Sequence, residues 1–216
     1  MSALCFYQLA DLLRSQRWVA PLLAYTLLLA AFYASDAGPA VPAFGVTAVA
    51  LLPVSAWLTR VVLSVEDDAA RQVTAATAGG QLRVQTALLV SAVGTAAPLV
   101  VLAVGWASVA NAGNVTGWRA YLGGLAIHAV LALCGVGLGA VLSRPLVRAP
   151  GTAALAIVGV VVGALIVPWS PVAGLLRVLE TDPHSRFAAR LSPSVVAVLI
   201  IATTCCALSL IAARRD

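Results

Sequence analysis

The sequence predicts an all-α, polytopic membrane protein with about six transmembrane helices, and three observations carry that expectation. Of its 216 residues, 62% are hydrophobic and only 10% are charged, whereas roughly a quarter of the residues in a soluble domain are charged. The charges lie in clumps separated by apolar runs of about 17–24 residues, long enough to carry a helix across a hydrocarbon core of ~30 Å. The basic residues, all 13 of them Arg, sit at the ends of those runs. A basic balance of +5 placed this way belongs to membrane orientation and anionic head groups rather than to nucleic acid. The whole chain, 1–216, reads as a single transmembrane domain.

Residues 3–17 place Cys5, Phe6, Leu9, Leu12 and Leu13 on one helical face and Gln8, Asp11 and Ser15 on the other, the pattern of an amphipathic helix in the membrane interface. Asp11, Arg14 and Arg17 interrupt this stretch, so a cleavable signal peptide is not expected. A first span over 18–34 carries Trp18 and Tyr33 near its ends, where amphipathic rings favour the head-group boundary. A polar turn over 35–42 leads to a second span, 43–63, which contains Pro53, and the third, 84–106, contains Pro98; each proline removes a backbone hydrogen bond and is expected to bend its helix. The fourth span, 119–142, and the fifth, 151–167, are joined by a tight loop with Arg144 and Arg148. A half-apolar connection, 168–191, with a turn at Asp182 and Pro183, reads as extracytoplasmic or re-entrant, and 194–213 is the sixth span.

An even number of spans puts both termini on one side. If that side is the cytoplasm, Arg14, Arg17, Arg60, Arg71, Arg83, Arg144, Arg148, Arg214 and Arg215 are inside and Arg119, Arg177, Arg186 and Arg190 outside. This follows the positive-inside rule for a multi-pass protein of the cytoplasmic membrane. Of the four cysteines, Cys134, Cys205 and Cys206 fall in spans and Cys5 in the N-terminal helix; their spacing fits no metal or redox motif, so they read as small apolar thiols.

Segment 64–80, within the most polar part of the chain, carries a full set of helix signals. Ser64 and Asp67 have capping-box spacing, Glu66, Asp67 and Asp68 complement the helix dipole, Asp67 lies one turn from Arg71, and Gly79-Gly80 supplies a stop. It reads either as a solvated loop helix or as a rigid lever through which an outside energy source moves the spans. The run Leu52-Pro53-Val54-Ser55-Ala56-Trp57-Leu58-Thr59-Arg60, followed by Glu66-Asp67-Asp68 and residues 69–80, resembles the second span and first intracellular loop of ABC-2 type permeases, the membrane-spanning subunits of ABC transporters. The N-terminal helix ending in Arg14-Ser15-Gln16-Arg17-Trp18 and the six-span layout are similar to that family as well.

The resemblance implies that 3–17 is a connecting helix and that 64–80 is a coupling helix. By position, Glu66, Asp67, Asp68, Arg71 and Gln72 would then dock on a separate ATP-binding subunit. It further implies an exporter built from two such permease subunits, identical or related. The chain itself needs no cofactor and is not an enzyme under this reading; with no Lys it has no Walker A motif, so ATP and Mg belong to the partner.

Gly135 with Gly139, and Gly159 with Gly163, have GxxxG spacing, which serves either a dimer seam or helix packing within one subunit. His128, the ionisable side chain deep in a span, reads as a hydrogen-bonded structural group or as a proton relay. An ion-driven secondary transporter would need acidic residues or broken helices at mid-membrane, and an intramembrane hydrolase a metal cluster, carboxylate pair or nucleophile with a base. A haem-exporter type of membrane subunit would be expected to carry a His pair or a WxWD-like run, and an anchor or assembly factor needs none of these.

Overall fold

Lipid as solvent reverses the usual sorting of side chains, because an apolar face can look outward while every polar group at membrane depth must find a partner inside. The computed structural model describes residues 1–35, 38, 40–110, 113, 118–144, 146–147, 149–181 and 187–214. The turn expected at Asp182 and Pro183, part of the turn 35–42, and Arg148, Arg186 and Arg215 lie outside the described residues.

The described secondary structure is helical: α1 (Ser2–Ser15), α2 (Val19–Phe32), α3 (Ala40–Leu63), α4 (Asp68–Ala78), α5 (Gln81–Ala110), α6 (Trp118–Val141), α7 (Pro150–Ile166), α8 (Pro171–Thr181) and α9 (Phe187–Ala212). Among the described residues four helices, α3, α5, α6 and α9, are long and apolar enough to cross a bilayer; α7 and the start of α8, bent by 50°, make a fifth if taken as one broken span. The run expected to be the first span forms α2, which has 14 residues. At 1.5 Å per residue it reaches about 21 Å, less than the hydrocarbon core alone. Helix α5, with 30 residues, extends past both expected ends of its span. Pro53 and Pro98 lie inside α3 and α5, which continue through them, as α9 does through Pro193. Each costs one backbone bond rather than the helix.

Side-chain burial shows the reversal. Leu27, Val101, Leu155 and Ile200 are 68%, 65%, 75% and 58% exposed, while Thr47, Ser55, Gln85, His128 and Ser209 are completely buried. Hydroxyls are satisfied by their own helix: Thr26 donates to the Leu22 carbonyl at 2.9 Å, Thr59 to Ser55 at 2.8 Å and Thr86 to Leu82 at 2.7 Å, so they carry no unpaired donor into lipid. Helix α1 follows the same logic and corrects the expected facing. Gln8 and Leu12 turn inward, Gln8 against α5, whereas Phe6 and Leu13 are exposed. The protein-facing side of this helix is mixed, with Gln8 seated between Leu4, Cys5 and Leu12.

The centre of the bundle is the pairing of α3 with α6, its most extensive helix contact. A Cβ at Gly135 would run into Ser55 Oγ and the Leu52 carbonyl, and one at Gly139 into the Ala56 carbonyl and, at 2.8 Å, Thr59 Cβ. The backbones meet because two side chains are absent. The other side of α6 receives α9, where a Cβ at Gly137 would stand 2.8 Å from the Ala202 carbonyl oxygen. Helix α8 tucks Val172 and Leu175 into a cluster with Ala48, Val49, Leu52, Ile127, Leu131 and Val198, and Tyr25 ties α2 to α3 by donating to the Thr47 carbonyl at 3.1 Å. At Gly159 and Gly163 of α7 an added Cβ would meet open space, so among the described residues no neighbour requires these two positions to be glycine.

The contrast is testable. Gly139→Leu, which must push α3 off α6, is expected to destabilise the fold by ~3 kcal/mol, while Gly163→Leu leaves it unchanged. Thermal unfolding of the purified protein in detergent, followed by size exclusion, distinguishes the two; equal midpoints would refute the seam.

Candidate functional site

One end of the bundle collects the polar chemistry of the chain, and α4 lies at its centre. Its start is built by Asp67, whose backbone is extended and whose Oδ1 accepts from the Ala70 amide at 2.7 Å. This is an N-cap worth about 1 kcal/mol. The expected cap at Ser64 does not form: the Ser64 hydroxyl donates back to the Val61 carbonyl at 3.2 Å, closing the end of α3. The helix stops at Gly79, φ +89°, where the amides of Gly79 and Gly80 both donate to the Ala75 carbonyl. That is the glycine-dependent left-handed termination expected for Gly79-Gly80.

The structure uses most of the predicted docking residues to tie α4 down. Thr74 Oγ1 donates to Glu66 Oε1 at 3.0 Å, with the Tyr7 hydroxyl of α1 beside them. Asp68 pairs with Arg144 of the α6–α7 turn at 2.8 Å, an exposed pair worth at most about 1 kcal/mol. The Arg71 guanidinium donates to Gln85 Oε1 on α5, and Gln85 Nε2 donates to Ser209 Oγ on α9 at 2.7 Å. Of the five, Asp67 is the exposed cap and Gln72 is exposed outright. The outward side of α4 is therefore Ala69, Gln72, Val73, Ala76 and Thr77, small and weakly polar.

Arginines finish the neighbouring helix ends. Arg60 donates to the Leu142 carbonyl after α6, Arg17 to the Ser64 carbonyl after α3 at 3.2 Å, and Arg83 to the Ala78 carbonyl of α4 at 3.3 Å. A cation at a helix C-terminus satisfies orphan acceptors and opposes the dipole. Helix α1 joins through Gln8, which accepts from Ser91 at 3.4 Å, and Cys5 Sγ, 3.7 Å from the Ala87 carbonyl. These links were not foreseen from sequence. The available signal was Gln85 itself, an amide at the start of the third apolar run, which when buried requires a partner on another helix.

Away from this end, His128 bridges α6 and α3. A carbonyl only accepts, so Nδ1 carries the proton it gives to Gly124 at 2.7 Å, and Nε2 faces the Thr47 hydroxyl at 3.1 Å, whose single proton is shared between this nitrogen and the Ala43 carbonyl at 3.0 Å. Phe44 packs edge-on against the ring at 6.0 Å. Both nitrogens thus face neutral groups, the arrangement of a structural tie. At the α7–α8 break, Ser170 Oγ accepts from the Val172 and Ala173 amides at 3.2 and 3.4 Å, which occupies the donors a bound anion would need. Among the described residues no three His, Cys, Asp or Glu side chains are placed to hold a metal ion.

No family model, curated protein or solved structure matches the chain.

The Glu66 carboxylate beside Tyr7 is the main cause that holds its hydroxyl above the ordinary phenol range, with burial adding to it. The folded state then keeps this proton after the unfolded chain has lost it, so the contribution to stability is constant below pH 10 and is lost as pH rises beyond. Unfolding of the wild type is expected to become easier above that pH, and Tyr7→Phe to remove that part of the decline. Parallel pH profiles for the two proteins would count against the Tyr7–Glu66 contact.

Proposed function

We propose that the chain is the membrane-spanning permease subunit of an ABC-2 type exporter. In this reading it crosses the cytoplasmic membrane six times, counting α2 and the broken pair α7–α8 as passes, with both termini inside. A second permease subunit completes the transport path, and a separate ATPase subunit binds ATP and Mg and docks on α4.

The observation that supports this most is the division of labour on α4. Thr74 holds it to Glu66 of the preceding loop and to Tyr7 of α1, Arg71 to α5 and Asp68 to the α6–α7 turn, while Ala69, Gln72, Val73 and Ala76 look away from the protein. A helix held by its charges and bare on its outer side is suited to pass a push from a partner into the bundle. The docking surface accordingly moves to Gln72, Val73 and Ala76, flanked by Asp67, and Glu66, Asp68 and Arg71 become the fastenings. The arginines gathered around α4 accord with a cytoplasmic position for this end.

Replacing Val73 and Ala76 with Arg is expected to abolish co-purification with the ATPase subunit and ATP-dependent export while leaving membrane insertion and thermal stability intact. Glu66→Gln, by contrast, should retain the partner and loosen α4. Full co-purification and transport by the Val73→Arg, Ala76→Arg protein would overturn the docking assignment.

A further inference from the structure

The three fastenings of α4 differ in how they respond to displacement. Asp68–Arg144 is exposed and Thr74–Glu66 is half-buried, so water can replace a lost partner in each. Gln85 and Ser209 are completely buried, and their link has a fixed sense. The guanidinium of Arg71 can only donate, which turns Gln85 Oε1 toward α4 and commits Nε2 to Ser209. If Arg71 withdraws, Oε1 is left as a buried acceptor without a partner. The amide can relieve this only by rotating, which breaks the Nε2–Ser209 bond, sets Oε1 opposite the Ser209 hydroxyl and forces that hydroxyl to turn its own proton from its present direction. Among the described residues α4 and α9 have no substantial packing contact of their own, and both pack on α5, whose Gln85 is the side chain bonded toward each of them.

We propose that Gln85 is a positioning residue that couples displacement of α4 to the end of α9 through the chain Arg71–Gln85–Ser209. This goes beyond the docking assignment and does not depend on what binds α4. Residues 207–212 of α9 loosen when α4 moves outward, and α4 loosens when the α9 link is cut.

Amide hydrogen exchange on the full chain in lipid nanodiscs, without any ATPase present, tests this separately from the transporter reading. Arg71→Ala is expected to raise exchange of α9 amides around Ser209 about fivefold, the effect of losing one buried hydrogen bond. Ser209→Ala should raise exchange of α4 to a similar degree, and the double variant should exceed neither single one, because both cut the same chain. Gln85→Glu, which still accepts from Arg71 and from the Ser209 hydroxyl, is expected to keep both segments protected. Thr77→Ala, on the outer side of α4, should leave α9 unchanged. Exchange that rises only in the helix carrying the substitution, or effects that simply add in the double variant, would overturn the proposal, and Ser209→Ala alone, the smallest cut, is enough to decide it if Arg71→Ala fails to fold.

Discussion

Close backbone approach between α3 and α6 is the constraint on which the rest of the bundle depends. In water, helices associate to remove apolar surface; in lipid that drive is absent, and association rests on packing contacts and polar ties. The absent side chains at Gly135 and Gly139 bring Leu52, Ser55, Ala56 and Thr59 of α3 against the backbone of α6. The His128–Thr47 hydrogen bond fixes the same pair nearer its other end. With that pair set, α5 and α9 have surfaces to pack on, and α8 finds its seat across α3, α6 and α9.

A second consequence of the lipid solvent is that polar residues have an address. Many serines and threonines, such as Thr26, Thr59 and Thr86, spend their donors on carbonyls of their own helices, which makes them local and silent. Amides and guanidinia are too long and too rich in donors for that, so they reach across helices: Gln85 to Ser209, Arg71 to Gln85, Arg60 to the end of α6. Because they sit at helix ends near α4, the same interactions that satisfy them also join the loop helix to the spans. The tie of α4 to α5 through Arg71 and Gln85 follows from the cost of burying polar groups, with no separate device required.

The positions and apolar character of α3, α5, α6 and α9 were legible in the sequence because they depend on run length and composition, which are local properties, whereas the first expected span forms only the 14-residue α2. The Gly79-Gly80 stop was legible for the same reason, as its geometry needs only a residue free to adopt positive φ. What was not legible depends on a neighbour. Ser64 and Asp67 are both sound caps by pattern, and the choice between them is decided by where α3 ends, which frees Asp67 and engages Ser64 with Val61. Gln8 and Phe6 divide α1 into faces, but a helical wheel does not say which face meets α5 and which meets lipid. Two identical GxxxG spacings diverge likewise, one seated on α3 and the other facing open space.

That divergence bears on the choice among rival mechanisms. An ion-driven carrier works by a polar site at mid-membrane whose partners are incomplete until an ion or substrate arrives. His128 has a partner at each nitrogen, and the α8 start, the broken helix that would serve such a site, has its first amides occupied by Ser170. The charged and amide groups that link separate helices, Arg71, Gln85, Asp68 and Arg144, lie instead around α4, at one end of the bundle. Chemistry placed there suits a chain whose energy enters through contact with a partner, since force delivered to α4 reaches α1, α5 and α9 through side chains already bonded to it or to one another.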